Sequence, residues 1–139
     1  MDRREGWRIM ISNITVGGVN YSVAQAPAIK QKKLMLLIGA KIAFNSAASK
    51  SGIDRDLLMG ALCSFPEPMF DEIASIVLYK TSVVGDSTII DVGAFQGGML
   101  NFFHLVAEAV KLNLDDFFIY LDSVNKSANQ AVQPKANQA

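Results

Sequence analysis

The segment from Phe95 to Tyr120, FQGGMLNFFHLVAEAVKLNLDDFFIY, limits what this chain can fold into more than any other stretch. Asn101, His104, Glu108 and Lys111 recur at intervals of three, four and three residues, which places them on one narrow stripe of a 3.6-residue helix. The rest of that helix is apolar: Met99, Leu100, Phe102, Phe103, Leu105, Val106, Ala107, Ala109, Val110 and Leu112. A helix apolar over most of its circumference has to be covered on most sides, by the rest of its domain or by another chain. So few reactive side chains in so apolar a segment point to binding rather than catalysis.

The helix is expected over Met99–Leu112, with Asn113 as a helix-ending residue. A second helix is expected from Asp115-Asp116, whose charges suit a helix N-terminus, carrying Phe117, Phe118, Leu121 and Val124. Upstream, Ile14 and Val16 alternate with polar residues, as do Val19, Tyr21 and Val23. Gly17-Gly18 between them predicts a β-hairpin pairing Val16 with Val19 and Ile14 with Tyr21. Pro27 suits a first helical turn, and a long helix is expected from about Ala28 to Ser49 with Gly39 inside it. Asp54 is a candidate N-cap for a short helix with Leu57, Leu58, Ala61, Leu62 and Phe65 inward. Pro66 and Pro68 end it, and a helix over Met69 to about Thr81 follows, with Phe70, Ile73, Ala74 and Val77 as its stripe. Thr88-Ile89-Ile90 reads as a brief strand beside the hairpin.

The expected class is therefore mainly α, with about five helices, a small N-terminal β-hairpin and a disordered C-terminal tail. At 139 residues the prior is one domain, here 13–126. Residues 1–12 are expected to form a flexible arm, and the polar 127–139, SANQAVQPKANQA, a disordered tail.

Half the residues are apolar and mean hydropathy is +0.24, which fits a well-filled helical core, surface kept for a partner, or both. The most apolar window, Leu34 to Phe44, includes Lys41 and is far short of the ~20 residues that cross a bilayer, so no membrane role is expected. Residues 1–50 carry a balance of +6 and residues 51–139 a balance of −6. Opposite signs favour homo-oligomers joined head to tail if the halves lie apart in space, and cancel if they interleave. Zero net charge, and acids at Asp71 and Glu72 opening the second helix of a helix–turn–helix-like pair, argue against nucleic acid.

Chemistry is sparse. His104 with Glu108 is at most half a metal site, and Cys63 is a lone thiol among apolar neighbours, so no metal, cofactor or catalytic residue is expected. The acid pairs Asp54/Asp56, Asp71/Glu72 and Asp115/Asp116 each read as helix-start charges. VGDST and FQGGML lack the spacing and lysine of a phosphate loop.

Taken in order, VGGVNYSV, AIKQKKLMLL, GIDRDLLMGALCSFPEPMFDEIASIVL and FQGGMLNFFHLVAEAVKLNLDDFF resemble the tail assembly chaperones of long-tailed bacteriophages. The family pattern has a Phe-x-Gly turn into an apolar helix, here Phe95 and Gly97. A second helix opens with Asn–apolar–acidic–Phe-Phe, here Asn113, Leu114, Asp116, Phe117 and Phe118. Phe65-Pro66 and Phe70 fit its middle; the resemblance covers residues 13–123, and MDRREGWRIM departs from it. It implies a mainly α-helical protein of the host cytoplasm, absent from the mature virion. Such a protein binds the tape measure protein while tail tube protein polymerises around it. The family is often made as two products by a programmed frameshift. The alternative is a structural tail-completion or head–tail connector protein. Phe102, Phe103, Phe117 and Phe118 are the residues expected to meet a partner.

Overall fold

Strands β1 (Ile11–Val16) and β2 (Val19–Ala24) form the expected hairpin; the computed structural model describes residues 10–43 and 48–138. Val16 pairs with Val19 and Ile14 with Tyr21, the register set by the alternation. Gly17 and Gly18 both have positive φ, as a two-residue hairpin turn of this hand requires. Residues 1–9 of the expected arm lie outside the described residues, and Ile11 and Ser12 are already strand.

Helix α1 (Ala28–Ile38) is shorter than expected. Gly39 caps it by donating its N–H to Met35 O, because glycine favours leaving a helix over extending it. Residues 44–47 of the expected helix lie outside the described residues, and Ser49 belongs to a strand. Strands β3 (Ala48–Ser49) and β4 (Gly52–Ile53) make a second, minimal hairpin. Helix α2 (Arg55–Cys63) starts on Asp54, whose carboxylate accepts from Leu57 N at 2.8 Å, the expected cap. Leu58, Ala61, Leu62 and Phe65 are buried, but Leu57 is exposed, lying one position off the inward stripe.

Helix α3 (Glu67–Val77) starts two residues earlier than expected, with Pro68 in its first turn, and stops short of Thr81. Asp71 and Glu72 therefore sit inside the helix rather than at its start, where Glu72 pairs with Lys33. Thr81 opens strand β5 (Thr81–Val83), which pairs with β2 to give the order β1-β2-β5. This strand, not Thr88–Ile90, is the hairpin's neighbour. Ile89 reaches the sheet only as a bridge to Ser82, and Ile90 N donates to Thr81 O. A 3-10 turn (Val92–Ala94) leads into helix α4 (Met99–Gln138).

Helix α4 is the largest departure from expectation. It is one helix where two were expected, giving four α-helices among the described residues. Asn113 does not end it, and Asp115 and Asp116 lie in its middle. Helical backbone extends to Gln138, past residue 127, where disorder was expected to begin. Extending a formed helix needs no new nucleus, which favours continuing over stopping and restarting.

The core lies where α4 meets everything else. Leu105, Val106, Val110 and Phe118 are fully buried, together with Leu34 and Ile38 of α1, Leu58 of α2, Ile73 and Val77 of α3, and Val23 of β2. The covering expected for so apolar a helix is thus supplied largely by its own domain. The exceptions among the described residues are Met99 and Leu100, exposed at its first turn, and Ile119, Tyr120 and Val124, exposed further along.

Thr81 is a buried misfit. It is fully buried, and its hydroxyl has no hydrogen-bond partner among the described residues. Valine has the same shape without the desolvated hydroxyl. Thr81→Val is expected to raise unfolding free energy by about 1 kcal/mol, seen as a higher urea midpoint at unchanged slope.

Candidate functional site

Phe95 folds back over Gly97. A Cβ on Gly97 would stand 2.7 and 2.8 Å from carbons of the Phe95 ring, so the Phe-x-Gly turn needs its glycine to make room. The ring then reaches Tyr21 of β2 at 6.3 Å and Phe102 of α4 at 5.3 Å between centroids. Phe70 of α3 extends the cluster, 5.9 Å from Phe102 and 4.7 Å from Phe103. Tilted and edge-on contacts of this kind add to plain area burial. They fix the segment between β5 and α4 against sheet and helices together.

Ile90, on that segment, separates two open grooves. One, of about 500 Å³, has Val19, Tyr21, Val83 and Phe95 in its walls. The other, of about 510 Å³, is lined by Ala74, Leu78, Ile89, Val92 and Phe102 among others. Val19, Val83 and Ile89 are 38%, 37% and 52% exposed, so the rims are apolar as well as the walls. β2 at one end of the sequence and β5 with the 88–97 segment some 60 residues later thus build one apolar surface, which α3 and Phe102 of α4 complete. Its only trace in the sequence is the apolar pair Ile89-Ile90 in a loop bounded by Asp86 and Asp91.

The four phenylalanines expected to meet a partner do not share a surface. Phe118 is fully buried and is a core residue; it cannot present itself to another chain. Phe117 is half-buried, edge-on to Phe118 at 5.7 Å. Phe102 and Phe103 are half-buried against Phe70, one full length of apolar helix away, roughly 20 Å along the axis. Of the four, only Phe102 lines an apolar groove around Ile90. Adjacent phenylalanines on a helix point about 100° apart, so each Phe-Phe pair had to split between faces.

The stripe of Asn101, His104, Glu108 and Lys111 is real, and it works mainly as a strap. Asn101 Nδ2 donates to Gly97 O at 2.9 Å. Glu108 pairs with Arg55 of α2 at 3.4 Å. Lys111 Nζ donates to Ile53 O at 2.7 Å, and Asp115 Oδ1 accepts from Ile53 N at 3.0 Å, so the helix grips both backbone groups of one β4 residue. His104 lines a polar cleft with Glu108 and Lys111 and has no hydrogen bond among the described residues. No group of three or more His, Cys, Asp or Glu side chains is placed to hold a metal among the described residues, and Cys63 is exposed. No helix among them is long and apolar enough to cross a membrane.

Comparison with protein-family models, with curated proteins and with solved structures finds no match to this chain.

Proposed function

We propose that this chain is a non-catalytic assembly chaperone of the kind used by long-tailed bacteriophages, and that the paired grooves around Ile90 receive its client. The client is the tape measure protein, a long helical and apolar-rich chain kept soluble until tail tube protein encloses it. The observation that carries the reading is the apolar surface of Val19, Val83, Ile89 and Ile90 on a domain whose main helix is otherwise well covered. Open grooves with apolar walls and rims suit the apolar face of an amphipathic helix. The resemblance of residues 13–123 supplies the biological setting, host cytoplasm and absence from the finished virion.

Co-expression tests this directly. The tape measure protein is expected to be soluble and to co-purify with the chain, and to be insoluble without it. Ile89→Asp places a charge in the apolar surface at an exposed position. It is expected to weaken client binding at least about tenfold while leaving the thermal midpoint within a few degrees of wild type. Equal client binding by Ile89→Asp removes the grooves from the reading. No association with tape measure or tail tube protein sinks the chaperone itself. Mass spectrometry of mature particles separates a chaperone, which leaves, from a connector subunit, which stays.

A further inference from the structure

The sheet has two edges, and they are treated differently. The β5 edge is short and is occupied by Ile90, whose N–H bonds Thr81 O, with Ile89 bridging to Ser82. The β1 edge is six residues long, ISNITV, with neither charge nor proline, and no backbone hydrogen bond reaches its outer side among the described residues. Edge strands are usually blunted by lysine, proline, a bulge or a cover, because unpaired N–H and C=O groups recruit other strands. Among the described residues none of these devices is present on β1.

The hydrogen-bond phase says which groups are open. The two-residue turn makes Val16–Val19 a hydrogen-bonded pair, and Gln25 N donating to Met10 O at 2.8 Å keeps the same phase at the far end. Met10, Ser12, Ile14 and Val16 therefore aim their backbone groups at β2. Ile11, Asn13 and Thr15 aim theirs outward, and all three residues are exposed. In front of them runs a cleft of about 480 Å³ whose opposite wall is Arg55, His104, Glu108, Lys111, Leu112 and Asp115.

We propose that this cleft is a binding site for an extended peptide segment of another protein, which adds to the sheet as a strand beside β1. Ile11, Asn13 and Thr15 supply three outward N–H donors and three C=O acceptors, the complement of a peptide backbone. An added strand continues the sheet over α4, so its alternate side chains rest on His104, Glu108 and Lys111. Glu108 is paired with Arg55 and Lys111 with Asp115, so this floor is polar and charge-balanced. It selects uncharged polar or small β-formers at those positions rather than acidic or basic ones. A second copy is the poorer occupant: its β1 comes with its own α4, which would need the space that this chain's α4 already fills. The site is separate from the grooves around Ile90 and does not rest on the chaperone reading.

The test uses the full chain and a displayed library of random linear peptides. Enriched peptides are expected to be extended and uncharged at alternate positions. On binding they slow amide exchange at Ile11, Asn13 and Thr15, while Ser12, Ile14 and Val16, already bonded to β2, are unchanged. Asn13→Pro removes an outward N–H without touching the β1–β2 ladder, and is expected to weaken binding at least about tenfold with the hairpin signals retained. Peptides that bind without slowing the three outward amides, or no enrichment over background, overturn the proposal. So does light scattering that shows a dimer whose formation protects those same amides, since the occupant is then a second copy. If Asn13→Pro unfolds the hairpin, the exchange pattern alone decides.

Discussion

Replacing Asn113 with alanine is expected to lower the unfolding free energy by about 2–3 kcal/mol, although alanine is the better helix former by about 0.6 kcal/mol. The loss comes from a residue elsewhere in the chain. Ala26 lies where β2 has ended and α1 has not begun, just before Pro27, so its buried N–H has no sheet or helix partner. Asn113 Oδ1 accepts that N–H at 2.8 Å and also faces Gln31 Nε2 at 3.3 Å, while its own Nδ2 donates to Ala109 O at 2.8 Å. Next to it, Gln25 Nε2 donates to Leu112 O at 2.9 Å and Tyr79 OH donates to Gln25 O at 3.1 Å. The sheet-to-helix crossing is thus tied to the middle of α4 at several points. Alanine leaves the Ala26 N–H buried and unbonded, which costs more than a made bond contributes. Asn113→Leu separates this from simple loss of volume. It fills the space yet orphans the same N–H, and is expected to be at least as damaging. Urea midpoints at constant slope read both variants, and a loss below about 0.5 kcal/mol for either removes this role from Asn113.

Asn113 also shows why the sequence predicts two helices where α4 is one. Asparagine before a pair of aspartates has the local character of a helix end followed by a helix start. Nothing local records that its amide is engaged by Ala26, 87 positions away. Asp115 misled in the same way, since its carboxylate serves Ile53 rather than a helix N-terminus. Local chemistry was enough elsewhere. Gly17-Gly18 with flanking alternation fixed the hairpin register, and Asp54 caps α2 as its side chain suggests. Strand β5 is not legible in the sequence because three residues, Thr81–Val83, carry no period and acquire strand geometry only by pairing with β2 some 60 residues earlier. The grooves around Ile90 depend on that pairing, so they were invisible for the same reason. The phenylalanine pairs were visible as apolar surplus, but the rotation that buries Phe118 and half-exposes Phe117 is set by packing, not by the presence of two rings.

A larger loss, about 4 kcal/mol, is expected for Gly52→Ala, and it has two separable parts. The first is conformational. Gly52, the first residue of β4, has φ of +97°, where a side chain strains the backbone by roughly 1–3 kcal/mol. The second is a collision. An added Cβ would lie 2.0 Å from Asp115 Oδ1 and 2.3 Å from its Cγ. Asp115 cannot simply turn away, because Oδ1 accepts from Ile53 N at 3.0 Å and its carboxylate pairs with Lys111 Nζ at 3.3 Å. Moving it breaks the grip of α4 on the β3–β4 hairpin. A double-mutant cycle divides the cost. Asp115→Ala alone loses the Ile53 partner, about 1–2 kcal/mol. In the Asp115→Ala background the collision is gone, so Gly52→Ala there is expected to cost only its backbone strain. The two changes together then fall short of additivity by about 1–3 kcal/mol. Strict additivity means that the carboxylate does not constrain residue 52. A single-variant cost below about 1 kcal/mol means that the hairpin does not sit against α4 as described.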